Sequence, residues 1–215
     1  MQLYWNPAIK YRYVNLIRFI DIFTFMVKEL LEKNRSYRRF CNKEHIDSAL
    51  LKKWAGYSRL CASGRNIQAL KYITVSDPCI CDGIYGNLKW AGYFPDWDGP
   101  VEEERPSAYI IQMLDTSIAG NVLCDDGLHI EAITLGAVED GYGCCIIKSF
   151  NAEKIGRLLD LPEHLSIRYV IALGKPVEEV FIEEMKDGEF KYWRDENGGH
   201  HVPKRSTEEL IFKSL

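Results

Sequence analysis

The sequence predicts an α+β domain, with helices around a central sheet that is mostly antiparallel or mixed. Three observations predict it. Several stretches carry apolar residues at spacings of three and four, the period of one helix face. Others are short, rich in β-branched and aromatic residues, and stopped by turn formers, as strands are. The two kinds interleave along the chain without an internal repeat.

Residues 1–25 are dense in aromatics, but Lys10, Arg12, Arg18 and Asp21 break the apolar core a signal peptide needs. Two readings stay open: an arm that packs on the domain or a partner subunit, or sequence upstream of a true start at Met26. A single domain then covers 26–215. Phe23, Val27, Leu30 and Leu31 open it as a helix ending near Asn34. Asn42 or Asp47 caps a second helix, with Ile46, Leu50, Leu51 and Trp54 on one face, that runs to about Leu60. Leu70 to Val75 is a strand. Residues 77–107, with many Gly, Pro and Trp residues, form a long and partly irregular excursion. Ala108–Leu114 is the next strand. Residues 122–138 form a mostly buried central helix, followed by a strand at Tyr142–Ile147, a helix at Ala152–Leu159 and a strand at Ile167–Leu173. Beyond Pro176 the chain is charged, with apolar residues few and scattered. The simplest account lays this segment across a partner subunit.

Composition narrows the function. The 215 residues are 47% hydrophobic and 27% charged, which is globular and not disordered. The net charge of −4 argues against a dedicated nucleic-acid binder. No run free of charge reaches the length of a membrane span. Seven cysteines, without a C-x-x-C pair, read as free thiols of a reducing cytoplasm, and the five histidines form no ligand pattern. The fingerprints of dinucleotide-binding folds, phosphate loops, serine hydrolases and zinc proteases are absent.

Four segments remain. The first is Arg35-Ser36-Tyr37-Arg38-Arg39-Phe40. Its plain reading is a solvated helix end. Its functional reading is a phosphate site, because guanidinium forks match phosphate oxygens and a serine hydroxyl adds a donor. The second is Ser63-Gly64-Arg65-Asn66-Ile67-Gln68, either a simple turn or a loop offering paired amides to a heterocycle. The third is Gly141-Tyr142-Gly143-Cys144-Cys145-Ile146-Ile147, where the glycines end a helix and admit a flat ligand. The last is His201-Val202-Pro203-Lys204-Arg205, a charged tail unless it returns to the first cluster.

Taken in this order, these segments resemble the FMN-dependent nitroreductase family. Arg35 to Phe40 resembles its R-S-x-R-x-F phosphate motif, Ala62 to Gln68 its P-S-x-x-N-x-Q loop, Asp126 to Ile147 its long helix and G-x-G-x-C turn, and Val202 to Arg205 its C-terminal basic motif. The sequence departs from the pattern at Asn34, Ala62 and Leu70, and in the adjacency of Lys204 and Arg205. The resemblance implies an intertwined homodimer with FMN at the subunit interface. Arg35, Ser36, Lys204 and Arg205 would hold the phosphate. Arg38 would stand near N1 and O2, Ser63, Asn66 and Gln68 would hold the ring or ribityl chain, and the backbone of Cys145, Ile146, Ile147 and Lys148 would face N5. NAD(P)H would pass a hydride to the flavin in a ping-pong cycle, and a nitroaromatic, quinone or related acceptor would take it. No side chain is expected to act as catalytic acid or nucleophile, and no metal is expected. Alternatives are another reaction on the same fold, reductive dehalogenation or flavin fragmentation, and a flavin-binding module without turnover.

Overall fold

The computed structural model describes residues 27–215. The expectations for residues 1–25, Phe23 and Met26 lie outside this range. Residues 27–33 are helical and belong to a unit separate from Asn34–Leu215. All that follows concerns the second unit.

Its main sheet has five strands: β1 (Phe40–Cys41), β2 (Leu70–Val75), β3 (Ala108–Asp115), β4 (Gly143–Ile147) and β5 (Leu165–Pro176). β3 lies between β2 and β5, and every pairing is antiparallel. Helices cover both faces. α1 (Ser48–Tyr57) and α3 (Asp125–Glu139) pack Leu51, Trp54, Ile130, Ile133 and Ala137 against Ala108, Ile110, Cys144, Ile171 and Leu173. α2 (Pro78–Tyr85) and α4 (Ala152–Leu158) pack Cys81, Ile84 and Ile155 against Tyr109, Ile111, Met113, Cys145, Ile147, Val170 and Ala172. A strand covered on both faces needs apolar residues at odd and even positions alike. β3 shows this: all eight residues are buried, and only Gln112 and Asp115 are polar.

The helix starts have local causes. The Asp47 side chain accepts from Ala49 N at 2.7 Å, so Asp47 caps α1 and Asn42 does not. Asp77 caps α2 with Pro78 at its first turn, and Asn151 caps α4. α2 is the ordered part of the stretch expected to be irregular.

The larger difference lies after Pro176. Val180–Glu184 (β6), Trp193–Arg194 (β7) and His200–Lys204 (β8) form a second sheet in the order β6-β8-β7, with β6 parallel and β7 antiparallel to β8. This sheet packs on its own chain: Tyr192 and His200 both meet Phe94 edge-on, at 5.2 and 5.7 Å between ring centroids. The expectation that the whole segment lies across a partner is therefore corrected for Val180–Lys204. The apolar residues that looked too sparse for a core are aromatic and join rings from the 90–97 excursion. Past Lys204, α5 (Thr207–Leu210) and the tail leave Leu210, Ile211 and Phe212 exposed.

Glycine fixes where the first basic segment lies. A Cβ at Gly174 would stand 2.7 Å from Phe40 Cβ, and one at Gly143 2.6 Å from the Tyr37 ring. The segment thus rests directly on β4 and β5. Gly174→Ala is expected to lose about 1–3 kcal/mol, the usual cost of overpacking a core, because Phe40 Cβ is tied to the backbone and cannot swing away. Urea unfolding checks this, and unchanged stability would show that the crossing gives way freely.

Candidate functional site

The residues 34–38 run beside the start of β4: Ser36 bridges Cys144 in parallel, and Tyr37 N donates to Cys144 O at 2.9 Å. β8 comes up on the other side. Between them lies a cavity of about 270 Å³ lined by Asn34, Arg35, Ser36, Arg38, Tyr192, His200, Val202 and Lys204. The first and last basic motifs, remote in sequence, therefore meet within one chain.

The electrostatics of this cleft are uneven. Arg39 donates to both oxygens of Glu104, each at 2.6 Å. Arg194 donates to Glu178 Oε2 at 3.1 Å and lies over Trp97, 4.4 Å from its centroid. Arg38 is buried, and its side-chain partners are all neutral. They are the Ser36 carbonyl at 3.2 Å, His200 Nε2 at 3.0 Å and the Tyr192 ring face, 4.5 Å to the centroid. Glu178 forms no ion pair with the Arg38 guanidinium: the Glu178 oxygens accept from Arg38 N, Arg39 N and Arg194. Among the described residues no carboxylate lies within ion-pair distance of the Arg38 guanidinium, the separation at which one would offset the cost of burying a charge. An anion in the cleft would supply that charge.

β8 points its two histidines to opposite sides. Burial, Arg38 and Arg194 push His200 down to about 4, so it is neutral. His201 is stacked on Trp193, with centroids 4.0 Å apart, and on Phe181 at 5.1 Å. Its nitrogens meet Glu183 at 2.7 Å and Asp195 at 3.1 Å, which raise its pKa and favour the imidazolium. A raised histidine contributes stability that is complete below its ordinary value near 6.5 and is lost as pH rises through the folded value. Melting temperatures measured from pH 6 to 9 should fall through this transition, and His201→Gln should flatten that limb. An identical limb in the variant would assign the slope to another group.

The remaining sequence-selected residues fall in two other places. Cys145 and Ile147 are buried toward α2 and α4, while Ile146 is exposed. Burial raises both Cys144 and Cys145, with Cys145 at about 11, so these thiols are packing groups and not thiolates. Peptide groups alternate between the edges of a strand. The Cys144 carbonyl faces residue 37, so the Ile146 N–H, two residues further along β4, faces the same outer edge. Lys148 Nζ donates to Arg168 O at 2.7 Å, where the β3–β5 register shifts.

The third place is the loop before β2. Arg65, Asn66 and Gln68 all adopt positive φ, between 54° and 56°, at a strain cost of about 1–3 kcal/mol each. Asp125 holds the loop by accepting from Ser63 Oγ at 2.6 Å and Gly64 N at 3.0 Å. Gln68 Nε2 donates to Asn66 Oδ1 at 3.1 Å. The loop borders a separate cavity of about 200 Å³, and none of its residues lines the basic cleft. Arg205 is also apart from the cleft, donating to Glu209 at 3.0 Å beside the α5 cap. Sequence reasoning missed Glu178, Tyr192, Arg194 and His200. For His200 the local signal is its place directly before the His201-to-Arg205 segment.

Among the described residues no cluster of His, Cys, Asp and Glu could hold a metal ion, and no helix is long and apolar enough to cross a membrane. No family model matches the chain. The fold is nitroreductase-like. A nitroreductase family protein from Clostridium novyi NT is 24% identical, with 69% of this chain and 85% of that one covered and a TM-score of 0.57. An FMN-dependent nitroreductase from Clostridium difficile R20291 is 21% identical over 70% of this chain and 87% of that one, at a TM-score of 0.57. A nitroreductase family protein from Streptococcus pneumoniae TIGR4, at 14% identity, is covered over its whole length and matches 87% of this chain with a TM-score of 0.63.

Proposed function

We propose that this chain is an FMN-dependent NAD(P)H oxidoreductase of nitroreductase type that works as a homodimer. The observation that carries the reading is the Arg38 guanidinium, buried among neutral partners in a cleft that also presents Arg35, Ser36 and Lys204. That donor set fits a phosphate monoester: guanidinium forks, a hydroxyl and an ammonium are the groups that bind a dianion by charge-assisted hydrogen bonds. Arg35, Ser36 and Lys204 would hold the phosphate. Arg38 would place its charge near N1 and O2, and the backbone N–H groups of Ile146 and Lys148 would meet the ring edge. Ser63, Asn66 and Gln68 would reach the cofactor from the partner subunit, which accounts for a strained, preorganised loop lying away from its own chain's cleft. The bound FMN supplies two-electron transfer between NAD(P)H and an acceptor such as a nitroaromatic or quinone.

The exposed Leu210, Ile211, Phe212 and Leu215 suit a tail that covers a partner. A permanent interface of this kind buries more than about 2,000 Å². The seven cysteines, all free, suit a reducing cytoplasm.

Purified protein should be yellow, release FMN on denaturation and sediment as a dimer, and NAD(P)H with a quinone should bleach and restore the colour. Protein that stays colourless after incubation with FMN contradicts the reading. A flavin-loaded protein that never oxidises NAD(P)H would instead be a binding module.

A further inference from the structure

We propose that His200 is a positioning residue: as a neutral hydrogen-bond acceptor it anchors the Arg38 guanidinium at the cleft wall while leaving the arginine's charge for a bound anion. The proposal rests on the FMN reading above. Arginine has only donors, so at the 3.0 Å contact between Arg38 and His200 the imidazole Nε2 must accept. The ring proton then sits on Nδ1. That atom is buried and has no partner among the described residues, so Arg38, and not a partner for Nδ1, dictates the tautomer.

The neighbouring arginines show what a neutral anchor accomplishes. Arg39 and Arg194 are held by Glu104 and Glu178, and their charges are neutralised in place. A carboxylate at position 200 would hold Arg38 equally well, but it would cancel the charge and oppose negative charge developing on the reduced ring. An imidazole fixes the geometry without that competition. Its own state is secured by its surroundings. The ring is 1% exposed, meets Phe94 edge-on at 5.7 Å and Tyr192 at 5.2 Å, and cannot swing away from Arg38. The charged groups that act on it are Arg38, Arg194 and His201, all cationic or basic, and Glu178 is occupied by the donors already named. Protonating His200 would turn the acceptor into a donor facing a guanidinium.

Two measurements decide this. Nitrogen-15 spectra of the histidine side chains in the wild-type protein should show His200 neutral at pH 7, protonated at Nδ1 and bare at Nε2. An imidazolium, or the opposite tautomer, overturns the proposal without any variant having to fold. The second uses the FMN-loaded protein. His200→Glu should raise the Kd for reduced FMN about tenfold more than that for oxidised FMN, which lowers the midpoint potential of the bound flavin by about 30 mV for a two-electron couple. His200→Gln, which keeps a neutral acceptor, should leave the ratio of the two Kd values within about threefold of wild type. If Arg38→Ala lowers the potential and His200→Glu does not, the role given to His200 is wrong and the FMN reading stands. If wild-type protein binds no FMN, that reading fails, and the tautomer still decides whether His200 is the neutral anchor of Arg38.

Discussion

Replacing Glu178 with alanine is expected to destabilise the fold by about 3–5 kcal/mol, the range for removing one partner of a buried ion pair. The carboxylate joins two parts of the chain far apart in sequence. It accepts from the backbone of Arg38 and Arg39 in the first basic segment and from Arg194 on β7. Its side chain is completely buried, so no water replaces it for free. Alanine would leave two main-chain donors and a guanidinium unsatisfied together. Domains of this size are stable by only about 5–15 kcal/mol, so the change takes a large share of the total. Glu178→Gln keeps one acceptor oxygen for the backbone groups but turns a donor NH2 toward Arg194, so it loses that ion pair with its hydrogen bond. It should cost less, about 1.5–3 kcal/mol. Denaturant unfolding of the three proteins checks the order, and equal stability of wild type and Glu178→Ala would show that the carboxylate ties nothing together.

Arg35→Ala should weaken FMN binding by about 1.5–3 kcal/mol, the value of one charge-assisted hydrogen bond, or roughly ten- to 150-fold in Kd. Arg35 lines the cleft with Ser36, Arg38 and Lys204. Its contribution should fall mainly on the phosphate, since it belongs to the segment that crosses β4 beside Ser36. Arg35→Lys should recover part of the loss, because an ammonium keeps the charge and loses the fork. Fluorescence titration with FMN reads both variants. An unchanged Kd for Arg35→Ala would move the phosphate to another part of the protein.

Much of the fold is legible in the sequence because it depends on local pattern. Leu70–Val75 is a run of β formers between turn residues, and the structure gives β2 those same bounds. The central helix is apolar around much of its circumference, and α3 buries Ile130, Ile133, Ala137 and Val138 at helical spacing. Other features needed tertiary information. α2 carries a legible start, Asp77 followed by Pro78, but it is only eight residues long and lies among Gly, Pro and Trp residues. The small sheet could not be read locally at all. Its central strand β8 pairs with β6, which lies about twenty residues back, and each of its strands is too short and too polar to carry a period of its own.

The site divides in the same way. Arg35, Ser36, Arg38 and Lys204 were legible as basic motifs, and the fold brings them to one cleft. Their electrostatic roles were not legible. Arg38 and Arg39 are adjacent and chemically alike, yet Glu104 neutralises one while His200 and Tyr192 leave the other charged. Glu178 stands in a charged stretch that reads as solvated surface, yet the first basic segment and Arg194 meet its buried carboxylate. Arg205 matched a motif by its neighbour's position, but the turn into α5 gives it to Glu209.

The part of the cleft lined by Arg35, Ser36 and Lys204 is expected to bind the phosphate of FMN, with Arg38 beside the ring. Calorimetric titration of flavin-free protein with FMN and with riboflavin tests it most directly, because the two ligands differ only in that phosphate. One FMN should bind per chain, with a Kd at least about 100-fold tighter than for riboflavin, since two or more charge-assisted hydrogen bonds are at stake. Equal affinity for the two flavins, or binding of neither, would contradict it.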